Sequence, residues 1–266
     1  MKFAKLIILL LLAGGSSIIY RMRLFLTILC MFIIFSPVWS RAELNQSIDS
    51  EALEILKGMS DYLSSQQIFG LQAFENEEVV LDDGQKIMSS REIRFQMARP
   101  NKFHAQINDG ESELEMFNDS SSFTLFRKDL KFFATTTAPP SLPEVFAKLE
   151  DKLNIQVVAQ DILRDDSYKF LLTSVISGFV VGDALVHGVL CTQLAFRLTD
   201  TDMQIWITKD EQPLPMKYVV TSRWITGAPQ YTITFLDWTS QDDIDNTVFI
   251  FKAPKDAKEI TFAEDN

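Results

Sequence analysis

The sequence is poor in the side chains that perform most catalytic and metal chemistry. It has 266 residues, with two cysteines, Cys30 and Cys191, and two histidines, His104 and His187. It contains no phosphate-binding glycine loop, no G-x-S-x-G motif and no H-E-x-x-H motif. Cys30 lies in an N-terminal segment that we expect to be removed. The remaining cysteine forms no internal disulfide and no thiolate zinc site, so we expect no metal and no cofactor.

The remaining reactive side chains do not form a recognisable catalytic group, and we assign no catalytic residue. His187 and Cys191 lie four residues apart on what we interpret as one strand, roughly 13 Å at about 3.3 Å per residue. A nucleophile and its base must be within hydrogen-bonding distance. Cys191 is therefore predicted to be buried and structural, and His104 to be solvated on a polar face. Acidic pairs such as Asp165–Asp166 fall at predicted turns and caps.

Positive charge is scarce as well. The formal net charge is −11, and removing the five basic residues of the first 42 leaves 20 basic against 36 acidic residues, a net charge of −16. Such a balance argues against binding to nucleic acid or to an anionic membrane surface. We therefore expect no nucleic-acid partner and no stable membrane insertion of the mature chain.

Residues 1–42 have the pattern of an export signal. They contain two apolar runs separated by basic residues, and no acidic residue. The second run follows Met22 and Arg23 and ends near Ser40 and Ala42, as in a secretory signal peptide. Each run is shorter than the roughly 20 apolar residues of a spanning helix. We expect cleavage after Ala42 and periplasmic localisation, with Met22 as an alternative start. A membrane anchor or a hairpin of two short helices is the rival interpretation.

The mature part, residues 43–266, is predicted to form one domain that is mainly β. Alternation of apolar and polar residues, interrupted by turn residues, predicts six strands between residues 67 and 136. The same pattern predicts five more strands from residue 177 onward. Sheets of this size normally curl to bury their apolar side. The fold class is therefore α+β: a half-open antiparallel β-barrel of about eleven strands.

Helical patterns occur before and between the two groups of strands. Apolar residues recur at helical spacing over residues 52–63, with Asp49 or Ser50 as the N-cap. Ser141 and Glu144 form a capping box for a helix over residues 141–153, and a shorter helix begins at Asp165 or Asp166. We predict that this N-terminal helix and the central helical insertion cover the concave face of the sheet.

Two short motifs resemble LolA-like periplasmic lipoprotein carriers. Residues 99–103 are similar to the R-P-x-x-F step of that family, and residues 249–254 to its closing F-x-F-x-x-P. A second resemblance is to the predicted periplasmic family catalogued as domain of unknown function 2092. It rests on residues 134–135 and 138–140, 191–197, 204–207 and 213–217, and 229–231. In that family a histidine often follows the cysteine by two residues, where this chain has Gln193. The resemblance implies a compartment and a fold, and no activity.

The aromatic side chains are the main functional signal. They are spread along the strands and could line an apolar concavity that shelters a lipid or a lipoprotein acyl chain. The candidate ligand-binding residues are Phe103, Phe117, Phe123, Phe146, Phe196, Trp206, Trp224 and Tyr231. The helix over residues 141–153 would act as a lid, with Val145, Phe146 and Leu149 facing Phe103, Phe196 and Trp206. Ordinary core packing is the simpler interpretation of each aromatic residue taken alone.

Three functions therefore stay open. The first is a non-enzymatic carrier of a hydrophobic ligand. The second is an envelope scaffold or interaction protein with a filled core, whose partner is another envelope protein. The third is a hydrolase that uses an unidentified pair of carboxylates. An apolar cavity favours the carrier, a filled core the scaffold, and convergent carboxylates with raised pKa values the enzyme.

Overall fold

The computed structural model describes residues 47–240, except 154, 156 and 158, and residues 243–262. The described residues fall in one unit, Gln46–Asn266. The predicted signal peptide, residues 1–42, lies outside the described residues. Among the helices that the structure describes, none is both long and apolar enough to cross a membrane.

Eleven antiparallel strands and one short parallel strand form an open sheet. The strands are β1 (Ile68–Val80), β2 (Lys86–Ala98), β3 (Lys102–Asn108), β4 (Glu113–Asp119), β5 (Ser122–Arg127), β6 (Phe132–Thr137), β7 (Val175–Val186), β8 (Val189–Leu198), β9 (Thr201–Thr208), β10 (Pro215–Ser222), β11 (Gln230–Ser240) and β12 (Lys258–Glu259). Their order across the sheet is β12-β6-β5-β4-β3-β2-β1-β11-β10-β9-β8-β7. The predicted groups of six and five strands are confirmed. The sequence did not predict β12, which pairs in parallel with β6.

Three helices lie where the sequence predicts them, and two short ones, one of them a 3-10 helix, are additions. They are α1 (Ser50–Ser65), α2 (Leu142–Leu153), α3 (Gln160–Leu163), α4 (Ser167–Leu171) and a 3-10 helix (Asn246–Phe249). The Asp49 side chain caps α1 by accepting from the Glu51 amide at 3.0 Å. The Ser141 hydroxyl donates to the Glu144 carboxylate at 2.9 Å at the start of α2. The four-residue α3 was not predicted, since it is too short to show helical periodicity.

Helices α1 and α2 fill much of the concave face. The buried residues of α1 are Ala52, Leu56, Met59, Ser60 and Leu63, and those of α2 are Leu142, Val145, Phe146 and Leu149. Phe146 packs on Phe103 with the ring centroids 6.0 Å apart, and Phe103 also stacks on Phe95 at 5.7 Å. The predicted contact of α2 with Phe103 is confirmed, and it is a packed core with no open space between the rings.

Arg99, the arginine of the R-P-x-x-F motif, holds two helices onto the sheet. Its guanidinium donates to the carbonyls of Leu63 at 3.3 Å, Gln66 at 3.1 Å and Leu163 at 3.2 Å, which end α1 and α3. It also forms an ion pair with Asp165. Burial lowers the pKa of Arg99 to about 10, so the side chain stays charged at neutral pH. The motif is therefore structural in this protein.

On the convex face, the predictions for the histidines need correction. His104 is not solvated, because its ring stacks on Phe117 with centroids 4.3 Å apart and hydrogen-bonds the Glu115 carboxylate at 3.2 Å. His187 does not share a strand with Cys191: it has φ 48° in the hairpin turn between β7 and β8. Cys191 is fully buried, as predicted.

Candidate functional site

Two adjoining cavities remain where the short helices α3 and α4 cover the concave face. The acidic cavity has a volume of about 310 Å³, and its walls come from β1, β2, β3, β10, β11, the end of α2, residues 157 and 159–161, and α4. The apolar cavity has a volume of about 340 Å³ and lies between α4, β9 and β10. Both are lined by Asp161, Phe170, Tyr218 and Val220. Each cavity lies at the lower end of the size range of small-molecule sites.

The apolar cavity has the composition expected for a hydrocarbon group. Its apolar lining residues are Phe170, Leu171, Leu198, Met203 and Val220. Threonine and serine hydroxyls at residues 173, 174 and 201 are the remaining lining groups besides the shared Asp161 and Tyr218. An aliphatic or aromatic group placed here would gain roughly 25 cal/mol of free energy for each Å² of apolar surface that it buries.

The acidic cavity has the opposite character. Its charged lining residues are Glu75, Glu77, Glu150, Asp161 and Arg91. Four carboxylates thus face one guanidinium. The remaining lining residues include the aromatic rings of Phe170, Tyr218 and Tyr231.

Strand register brings Glu75 and Arg91 together. Glu75 on β1 lies directly opposite Arg91 on β2 and opposite Ile233 on β11, so its side chain points to the concave side of the sheet. Its Oε1 accepts from Arg91, and its Oε2 accepts from the Tyr231 hydroxyl at 3.3 Å. Burial raises the pKa of Glu75, although the Arg91 charge opposes this shift. Both oxygens of this carboxylate therefore already have partners within the protein.

Asp161 lies in α3, which α1 and α4 hold in place. Ala159 precedes α3 with φ 52° and donates no side-chain cap. The Ser60 and Ser167 hydroxyls hydrogen-bond each other at 2.7 Å and thereby fasten α4 to α1. As a result Asp161 faces the cavity from the side opposite the sheet, and its Oδ2 accepts from the Tyr218 hydroxyl at 3.5 Å.

Asp161 forms no ion pair with a basic side chain among the described residues. The guanidinium of Arg164 binds the Asp166 carboxylate and lies 4.0 Å from the Phe170 ring centroid. Burial, with a further contribution from the Glu150 carboxylate, raises the pKa of Asp161, although the Arg164 charge and the Tyr218 hydrogen bond oppose this shift. Burial also raises the pKa of Tyr218 well above its ordinary value, so Tyr218 is a hydrogen-bond donor at neutral pH.

Gln160 also lines the acidic cavity. Its Nε2 donates to the Glu150 carboxylate at 2.8 Å. Its Oε1 is buried and has no hydrogen-bond partner among the described residues. A buried acceptor without a donor costs roughly 1–3 kcal/mol, so such groups in a native protein call for an explanation.

Of the eight predicted ligand-binding residues, the structure places only Tyr231 in the lining of the two cavities. Four others lie in the packed core: Phe103, Phe123, Phe146 and Phe196. Phe117 stacks on His104 and packs against the tilted ring of Phe251, which places it under the C-terminal segment. Trp206 packs against the Cys191 cluster, away from Ile205 and Ile207. Trp224 lies beyond the end of β10 and is 72% exposed.

Sequence reasoning missed the acids that line the cavity, although one signal was present. In β1 the inward alternation Leu71, Ala73 continues into Glu75, and in β2 the alternation Phe95, Ile93 continues into Arg91. A hairpin centred at residue 83 places these two charges opposite each other. Asp161 had no comparable signal, because its position depends on how α3 docks against the sheet.

The described residues contain no candidate metal centre. No three acidic, histidine or cysteine side chains among them are grouped in a way that could hold a metal ion. A further space of about 230 Å³ lies among polar side chains, including Arg94, Gln96, His104 and Gln106. It is smaller than either of the two adjoining cavities, which form the candidate site.

Solved structures with a similar fold are distant in sequence. An uncharacterized conserved protein from Thermus thermophilus is 11% identical, covering 79% of this chain and 99% of its own, with a TM-score of 0.47. Lipoprotein LppX from Mycobacterium tuberculosis is 12% identical, with coverages of 74% and 100% and a TM-score of 0.43. LprF from Mycobacterium bovis is 10% identical, with coverages of 80% and 100% and a TM-score of 0.46. Likeness at this level transfers no function.

Sequence comparison identifies the family. None of the curated proteins compared with the chain matches it. The family model described as "Predicted periplasmic protein (DUF2092)" matches residues 52–263, most of the chain. This match confirms the resemblance predicted from the motifs around Cys191 and Gln204. The chain belongs to DUF2092, a family of predicted periplasmic proteins.

Proposed function

We propose that this protein binds a small molecule with an apolar part in the two adjoining cavities, as a non-enzymatic carrier or receptor. The observation that supports this most is the apolar cavity of about 340 Å³ beside α4. The covering helices α1 and α2 fill the rest of the concave face with side chains. An apolar space that the fold leaves unfilled forfeits packing contacts, and a ligand would restore them.

The hydrogen bonds of Glu75 favour binding over hydrolysis. A glycosidase-like mechanism needs two carboxyl groups, one as the acid and the other as base or nucleophile. Glu75 and Asp161 line one cavity, and the pKa of each is raised by burial. However, the oxygens of Glu75 are engaged by Arg91 and Tyr231, so this carboxylate is not free to attack or to activate water. The proposal therefore includes no catalytic step.

Ligand binding can be tested with N-phenyl-1-naphthylamine, an uncharged apolar dye whose fluorescence rises in apolar surroundings. We expect wild-type protein to bind the dye saturably. Val220→Trp should weaken binding at least tenfold, because Val220 lines both cavities and the indole would fill them. Thr221→Trp is the matched control, since neighbouring strand residues point to opposite faces. Equal dye binding by the two variants would contradict a ligand site in these cavities.

Export to the periplasm, with removal of residues 1–42, is part of the proposal. The basic residue Arg23, the following apolar run and the small residues Ser40 and Ala42 support it. The mature protein should begin near Glu43. N-terminal sequencing of protein from the periplasmic fraction tests this expectation. An intact segment 24–38 recovered in the membrane fraction would overturn it.

The exposed edge of the sheet supports a second function, attachment to another envelope protein. Strand β7 ends the strand order, and Ile176, Phe179, Val181 and Leu185 on it are exposed. Within the described residues, this edge is covered at Gly178, where Ile48 bridges to it. Exposed apolar edges of this kind can add a strand from a partner.

Copurification from envelope extracts tests the edge. Phe179→Glu should lose a partner that wild-type protein retains, while Leu130→Glu, in an exposed turn, should keep it. Dye binding should be equal in both variants, because neither residue lines the two cavities. If Phe179→Glu and wild type retain the same proteins, the edge has no such role.

A further inference from the structure

The acidic cavity provides hydrogen-bond acceptors to any ligand whose apolar part lies next to it. Asp161 has one long hydrogen bond, 3.5 Å from the Tyr218 hydroxyl, so its carboxylate oxygens keep capacity to accept further hydrogen bonds. Glu150 and Glu77 add negative charge to the same lining. A ligand group that carries hydrogen-bond donors would satisfy these acceptors.

The carboxylates of the acidic cavity would also compensate a positive charge on the ligand. The one basic residue in the lining, Arg91, binds Glu75 and Glu77. Its charge therefore leaves Asp161 and Glu150 unbalanced inside the cavity. Carboxylates removed from water are stabilised when a cation lies next to them. An anionic head group would instead face the repulsion of these two carboxylates.

Aromatic rings line the space in which the charged group would lie. Phe170, Tyr218 and Tyr231 all contribute to the lining. Tyr218 is more than nine-tenths buried, so the hydroxyl that contacts Asp161 is fixed by the core. Aromatic and acidic side chains together are the combination that binds ammonium groups in proteins.

We infer that the ligand is a cationic amphiphile: a primary ammonium group held by Asp161, with its apolar chain in the adjoining apolar cavity. An N–H donor distinguishes a primary ammonium from a quaternary one, because only the former can donate a hydrogen bond to the Asp161 carboxylate. This inference rests on the proposed ligand-binding function and specifies the chemical class of ligand.

Displacement of N-phenyl-1-naphthylamine by four dodecyl compounds tests the inference at neutral pH and below micelle-forming concentrations. The compounds are dodecylammonium, dodecyltrimethylammonium, dodecanol and dodecanoate. We expect dodecylammonium to displace the dye at concentrations at least tenfold lower than each of the other three. Equal potency of dodecylammonium and dodecanol, or greater potency of dodecanoate, would overturn the inference while leaving the proposed function intact. Failure of the dye to bind at all would overturn both.

A charge-matched pair of variants locates the ammonium group. Asp161→Asn should reduce the preference for dodecylammonium over dodecanol at least tenfold. Asp151→Asn, an exposed residue of α2, changes the net charge equally and should keep the preference. Thermal melts establish that both variants are folded. If both variants reduce the preference equally, the effect is one of overall charge and the inference is wrong.

Discussion

Substitution of Phe103 tests whether this part of the concave face is packed. Its side chain is fully buried, and its ring centroid lies 5.7 Å from that of Phe95, 6.3 Å from Phe123 and 6.0 Å from Phe146. Removal of a buried phenylalanine ring usually costs about 3–5 kcal/mol, because apolar contacts are lost and a cavity remains. We therefore expect Phe103→Ala to lower the free energy of unfolding by about 4 kcal/mol.

Urea unfolding followed by tryptophan fluorescence measures this difference. In a folded unit of this size each kcal/mol shifts Tm by about 2–4 °C, so Tm should fall by about 8–16 °C. Phe179→Ala is the control, since Phe179 is 43% exposed on the edge strand and its removal should change stability by about 0.5 kcal/mol or less. Below its lowered Tm, Phe103→Ala should still bind the apolar dye.

One result would refute this reasoning. If Phe103→Ala loses less than about 1 kcal/mol and also loses dye binding, Phe103 lines an open space rather than a packed core. Helix α2 would then be a movable lid, as the sequence alone led us to expect. Phe103→Leu, which keeps most of the apolar volume, should separate the two outcomes if the alanine variant does not fold.

Three other changes have defined outcomes. Cys191→Ala should lower stability by about 1 kcal/mol, and the native thiol should resist labelling by a thiol reagent, since Cys191 is buried and burial raises its pKa. Gly178→Ala should cost about 1–3 kcal/mol in urea unfolding, because a methyl group there would overlap the ring of Phe196. Asp161→Asn should raise stability near neutral pH. Burial raises the pKa of Asp161, so the wild type loses stability as pH rises through that pKa, and the variant should lack this part of the pH dependence in urea titrations.

The sequence predicted the strands well because each strand follows a simple pattern. Residues alternate between the two faces, and hairpin turns such as Asp109-Gly110 interrupt the pattern at close spacing. The short elements could not be predicted in this way. Strand β12 has two residues, and α3 has four, so neither is long enough to show a period.

Alternation alone did not identify the face that points inward. In β9, Gln204, Trp206 and Thr208 alternate with Ile205 and Ile207, and Trp206 was predicted to line the cavity. The structure buries Ile205 and Ile207 in the main core and leaves Trp206 on the opposite face. Both faces of this sheet carry aromatic residues, because the C-terminal segment covers part of the convex face through Phe251. Aromatic content therefore did not distinguish cavity from core.

The cavity residues escaped prediction for a different reason. The positions of Glu75 and Arg91 follow from the register of the β1–β2 hairpin, which could have been predicted from the turn at residue 83. Asp161 and Gln160 depend on tertiary docking, since α3 reaches the cavity only because Arg99 binds its last carbonyl and α4 is fastened to α1. These contacts join residues more than 60 positions apart. No local pattern encodes them.

The buried charge of Asp161 affects both the stability of the fold and the proposed binding of a cationic ligand. A carboxylate without an adjacent cation costs free energy when it is removed from water. The hydrogen bond from Tyr218 could equally be accepted by the amide oxygen of an asparagine, so the local structure does not require the charge. The charge is therefore a cost in the empty protein that a cationic ligand would offset. Asp161→Asn should accordingly have opposite effects on the two properties, raising stability and weakening the preference for ammonium, as expected of a site built for binding rather than for packing.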